Sequence, residues 1–111
     1  MSREPTTALV LEDLFQVIDA RRGANPDESY TAKLLHEGRA AIVRKVGEEA
    51  VELTVAALSE GDDRMAAESA DLLYHLLVLW AEAGLRPEDV WSELARRQGI
   101  SGLDEKASRD G

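Results

Sequence analysis

The stretch Lys45-Val46-Gly47-Glu48-Glu49-Ala50-Val51-Glu52-Leu53 (KVGEEAVEL, residues 45–53) decides the fold. It lies in a longer segment, Arg39 to Ser59, where Val43, Val46, Ala50, Leu53 and Ala57 recur in steps of three and four. That spacing predicts a long helix packed in a bundle. Gly61-Asp62-Asp63 breaks the chain next, with Asp62 or Asp63 expected as a helix cap. Met65, Ser69, Leu72, Leu76 and Leu79 then mark the core stripe of a second long helix ending at Gly84. Two long helices joined by so short a turn predict an antiparallel hairpin.

Outward from this pair the segments are shorter. Leu11, Leu14, Phe15 and Ile18 follow helical spacing up to Arg22-Gly23, and Gly23 to Glu28 is a loop. Ser29 is placed to cap a short helix running through Leu34 and Leu35 toward Gly38. Pro87 suits the first turn of a last helix, to about Gln98, with Val90, Trp91 and Leu94 facing inward. No β-alternating run remains, so the fold class is all-α, a hairpin with shorter flanking helices. Residues 1–98 read as a single domain and 99–111 as a polar, mobile tail. A lone hairpin leaves apolar surface uncovered, which predicts a homodimer whose two hairpins complete a four-helix core.

Composition narrows the function. A chain of 111 residues, 44% hydrophobic, suffices for one core. It has no cysteine, which excludes disulfides and thiolate zinc sites and fits a reducing cytoplasm. The amino terminus carries acids within its apolar part and does not read as a secretion signal. The longest apolar run, Leu72 to Ala81, is about half the length of a bilayer span. A formal net charge of −9 disfavours nucleic acid and anionic membranes as partners. Yet Lys33, Arg39, Arg44 and Lys45 form a local cationic segment just before the acids.

Helical geometry puts Lys45, Glu49 and Glu52 on one stripe, with Glu48 at its margin. Glu68, Asp71 and His75 share a stripe on the second helix, and the two acid pairs face each other across an antiparallel hairpin. A run of glutamates is ordinarily a solvated helix face. Here, however, Glu52 has only Glu48, Glu49, Val55 and Ala56 three or four positions away, and Asp71 has Ala67, Glu68, Tyr74 and His75. Neither has a permanently cationic neighbour on its own helix, and each has a like-charged one, which is destabilising. A bound cation offsets that repulsion. All-oxygen sites suit Mg²⁺, Mn²⁺ or Ca²⁺, no EF-hand loop is present, and Mg²⁺ is commonly held jointly by carboxylates and substrate phosphates.

The pairs Glu49-x-x-Glu52 and Glu68-x-x-Asp71 on a helical hairpin resemble the all-α, MazG-like nucleotide pyrophosphohydrolases. More narrowly, SYTAKLL, KVGEEAVE, ESADLLYHLLVL and SGLDEKASR resemble the phosphoribosyl-ATP pyrophosphatases of histidine biosynthesis, over Leu9 to about Arg109. The resemblance implies hydrolysis of phosphoribosyl-ATP to phosphoribosyl-AMP and pyrophosphate. It implies that Glu49, Glu52, Glu68 and Asp71 hold one or two Mg²⁺ ions, with Mn²⁺ able to substitute, which polarise phosphoryl oxygens and lower the pKa of bound water. Glu48 and Glu49 would take the catalytic part, Glu48 by orienting the water. Lys45, and with less support Arg44, Arg39 and Lys33, would meet phosphate charge, with Tyr30 and His75 supporting. Two other readings stay open: a superfamily member acting on other nucleoside triphosphates, and a noncatalytic helical dimerisation module. Trp80 and Trp91 read as packing anchors, Arg96-Arg97 as a helix terminus favoured by the macrodipole, and Glu105 and Lys106 as tail residues able to reach a neighbouring subunit.

Overall fold

The computed structural model describes residues 7–98. Residues 1–6 and the tail 99–111, with Glu105 and Lys106, lie outside the described residues. Five helices follow one another: α1 (Leu9–Ala20), α2 (Tyr30–Glu37), α3 (Arg39–Ser59), α4 (Asp62–Ala83) and α5 (Pro87–Arg97). Among the described residues there is no strand, so the fold is all-α. Nor is any described helix long and apolar enough to cross a membrane.

Local chemistry sets the boundaries. Ser29, in extended backbone, caps α2 by accepting a hydrogen bond from the Ala32 N–H at 3.1 Å. Gly38 (φ 98°) and Gly61 (φ 120°) adopt backbone that strains any residue with a Cβ, and they separate α3 from α2 and from α4 with hardly any loop. Because α4 begins directly after Gly61, Asp62 and Asp63 occupy its first turn rather than the cap, where they meet the positive end of the helix dipole. Pro87 opens α5, and the Asp89 carboxylate accepts from the Arg86 N–H at 2.9 Å.

The pair α3 and α4 makes the most extensive helix contact, and α1 and α2 pack onto it. At the start of α3, Arg39 Nε lies 2.7 Å from Glu82 Oε1 near the end of α4. Halfway along, Glu49 meets Glu68 and Asp71. The apolar core collects Phe15, Ile18, Leu34, Ile42, Leu77, Val78 and Ala81, all at the Arg39–Glu82 end of the pair. The acids therefore lie beyond the core. α5 is held by the buried Pro87, by Trp91 standing edge-on to Trp80 at 6.0 Å, by the Trp91 indole donating to Glu12, and by Arg86 over the Phe15 ring at 5.4 Å. Leu94, expected inside, is exposed.

The long helices are turned relative to the expected stripes. In α3 the buried residues are Ile42, Glu49 and Ala56, whereas Val43 and Ala57 are exposed. In α4 they are Glu68, His75, Leu77, Val78 and Ala81, with Met65, Ser69, Leu72, Leu76 and Leu79 only partly covered. The reason is that α3 is apolar on two sides. Val43, Val51, Val55 and Leu58 form an exposed stripe lying roughly 180° around the helix from Ile42, Glu49 and Ala56. The expected stripe is an average of the two faces. The seam against α4 thus contains Glu49 and Glu68 themselves.

Candidate functional site

The centre of the site is built from the middle of α3 and the first half of α4. Glu49, Glu68 and Asp71 each offer a carboxylate oxygen within 4.8 Å of the others. Glu49 and Glu68 are 6% and 4% exposed, while Asp71 stands at the open side. Buried carboxylates are costly without compensation. Glu68 Oε2 accepts from the Arg64 guanidinium one turn earlier in α4, but Glu68 Oε1 is buried with no hydrogen-bond partner. Among the described residues none donates to Glu49. Burial pushes the Glu68 carboxyl above its usual range; Arg64 counteracts this, and Glu52, Asp71 and Glu49 add to the rise.

The donor set fits a hard divalent cation. Neighbouring ligands on an octahedral ion with bonds near 2.1 Å are about 3.0 Å apart and opposite ones about 4.2 Å, so three oxygens within 4.8 Å of one another are close enough for such an ion to draw together by side-chain rotation. The unpartnered Glu68 Oε1 is the atom such an ion satisfies. Glu49, Glu68 and Asp71 would hold it directly. Glu52 is exposed and lines an adjacent cavity of about 200 Å³ together with Val51, Val55, Glu60, Arg64 and Glu68.

The remaining candidates fall into two groups. Near the acids, Lys45 is half-buried with its Nζ 3.4 Å from Glu48 Oε1, and Glu48 is exposed at the margin. The Lys45 ammonium is held above the usual lysine range, first by the Tyr30 phenol and then by its hydrogen bond to Glu48. His75 is buried, and its Nδ1 lies 2.7 Å from the backbone carbonyl of Asp71. A carbonyl only accepts, so Nδ1 carries the proton and Nε2 accepts from the Tyr30 hydroxyl at 3.0 Å. Away from the acids, Arg39 is committed to Glu82, and Lys33 and Arg44 are exposed.

Two features escape the sequence reading. Arg64 stands four residues before Glu68, a spacing that would have identified the pair had Glu68 been searched for cations as Glu52 and Asp71 were. The hydroxyls of Thr31 and Tyr74 bond to each other across 43 residues, and no sequence signal announces that. A cavity of about 600 Å³, lined by Thr7, Ala8, Leu9, Leu11, Glu12 and Trp91, lies between α1 and α5. It has almost no polar lining and none of the grouped acids.

Known proteins are similar to this chain over most of its length. Phosphoribosyl-ATP pyrophosphatases from three organisms are similar along most of their length. The protein from Paramagnetospirillum magneticum is 63% identical over 100 residues, covering 90% of this chain and 92% of the relative. That from Azospirillum brasilense is 54% identical over 109 residues, 98% of each chain. That from Rhodospirillum rubrum is 58% identical over 100 residues, 90% of this chain and 86% of the relative. The family model described as phosphoribosyl-ATP pyrophosphohydrolase matches residues 11–98, from the first turn of α1 to the end of α5, and so this chain belongs to the phosphoribosyl-ATP pyrophosphohydrolase family.

Proposed function

We propose that this protein hydrolyses phosphoribosyl-ATP to phosphoribosyl-AMP and pyrophosphate, the second step of histidine biosynthesis, in the cytoplasm and with Mg²⁺. The observation that carries the proposal is a Glu68 carboxylate grouped with Glu49 and Asp71 and having one buried oxygen without a partner, in a chain of this family. Glu49, Glu68 and Asp71 hold the cation, and Glu52 extends the set on the open side. When bound, Mg²⁺ supplies Lewis-acid stabilisation of charge building on the phosphate oxygens.

The chain's own residues supply the rest. Lys45 and Glu48 form a long, largely exposed ion pair, worth about 0–1 kcal/mol and easily exchanged. Arrival of the polyphosphate draws Lys45 to phosphate oxygens and releases the Glu48 carboxylate to orient water and take its proton. His75, tied to the Asp71 backbone, steadies this turn of α4. Arg44 and Lys33 stay exposed and add weaker attraction for phosphate.

The same reading takes residues 1–98 as one domain with a tail, α3 and α4 as an antiparallel hairpin, and the active molecule as a homodimer. Supporting the dimer is the exposed stripe Val43, Val51, Val55 and Leu58: a helix apolar on opposite sides requires cover on both. The assay is pyrophosphate release with Mg²⁺ from phosphoribosyl-ATP beside ATP, dCTP and dUTP. Rapid turnover of the ordinary triphosphates with phosphoribosyl-ATP untouched would overturn the assignment. Asp71→Asn should abolish turnover while the helical spectrum stays intact.

A further inference from the structure

Tyr30 is the first residue of α2 and is 50% exposed, yet its ring is fixed on several sides. Its hydroxyl is tied to His75 Nε2 at 3.0 Å, its plane lies within 22° of the Tyr74 ring at a centroid distance of 6.2 Å, and the His75 ring meets it edge-on at 6.0 Å. The residues that fix it are themselves fixed. His75 is 6% exposed and anchored to the Asp71 carbonyl, and the Tyr74 hydroxyl is bonded to Thr31. An aromatic side chain half open to solvent gains little from burial, so this immobilisation leaves one main product: a flat apolar surface held ready at the edge of the acid site. Two hydrogen bonds, 2.7 and 3.0 Å long, connect it through His75 to the backbone carbonyl of Asp71, and the charges of Lys45 and Glu49 both act on its phenol.

We infer that the open side of the Tyr30 ring is the stacking platform for the substrate's purine, with His75 and Tyr74 as the residues that hold the ring in position. Stacking suits the task because every base presents a π-face, and a pre-fixed ring loses little freedom when the base arrives. The inference rests on the proposed nucleotide substrate but adds a base-binding residue outside the acid cluster.

The test separates ring from hydroxyl. Tyr30→Leu should raise KM for phosphoribosyl-ATP about 10-fold with kcat little changed. Tyr30→Phe, which keeps the face, should stay near the wild-type KM. An unchanged KM in Tyr30→Leu, or an equal loss in Tyr30→Phe, overturns the platform. A second measurement needs neither a variant nor turnover. The chain has only 2 tyrosines, so tyrosine-labelled wild type resolves both rings by NMR. Adding α,β-methylene-ATP with Mg²⁺ should move the Tyr30 ring signals by the base's ring current, and more than those of Tyr74. Stationary Tyr30 signals overturn the inference. If phosphoribosyl-ATP is not hydrolysed but Tyr30 still shifts, the substrate assignment fails and the platform stands. Normal turnover with no Tyr30 effect gives the reverse.

Discussion

Replacing Glu49 by glutamine tests the acid centre most directly. The amide keeps the shape of a side chain that is 6% exposed, while removing one of the three carboxylates whose oxygens lie within 4.8 Å. For the wild type, Mg²⁺ at about 100 times its dissociation constant adds about 2.7 kcal/mol of stability through binding linkage. In a domain of this size each kcal/mol moves the melting temperature by about 4–8 °C, so the expected rise is about 10–20 °C. Removing a ligand that weakens the site by about 100-fold leaves, at the same Mg²⁺ concentration, about 0.4 kcal/mol and a shift of about 2–3 °C. Without metal the order reverses. Glu49→Gln should melt above the wild type, because the like-charge crowding with Glu68 and Asp71 is relieved. Calorimetric scans of both proteins with and without Mg²⁺ measure all four quantities. A variant with the full wild-type Mg²⁺ shift would show that Glu49 holds no ion, and a lower metal-free melting temperature would reveal a structural role for its charge.

The same centre predicts a pH dependence. Burial raises the Glu68 carboxyl above its ordinary 4.5, so the native chain binds that proton more tightly than the unfolded chain. Its contribution is complete below 4.5 and is lost as pH climbs from there through the native value. Metal-free wild type should therefore lose stability relative to Glu68→Gln across that window in melts at stepped pH; parallel curves would refute the argument. At the outer face of α3, Leu58 is 88% exposed, and Leu58→Glu should weaken self-association by about 100-fold in sedimentation equilibrium. A wild type that sediments as a monomer at micromolar concentration would remove the proposed dimer.

Much of the architecture was legible because its causes are local. Ser29, Gly38, Gly61, Gly84 and Pro87 mark helix ends through their own backbone and capping preferences, and Arg39–Ser59 was read with the bounds the structure has. The spacing of the acids along each helix is likewise a matter of counting residues. Periodicity misjudged the orientation of α3, since it merges the Ile42–Glu49–Ala56 face with the opposite Val51–Val55–Leu58 face into one intermediate stripe.

The order of the helices, their ends and the acids each could present were determined by the sequence, through interactions spanning a few residues. Tertiary structure alone decided that Glu49 meets Glu68 and Asp71 while Glu52 stands in the next cavity, that one Glu68 oxygen is left without a partner, and that His75 takes the Tyr30 hydroxyl from 45 residues away. Those outcomes depend on how far each helix is rotated about its axis. That rotation is set by the summed packing of every neighbouring element, which no window along the chain contains.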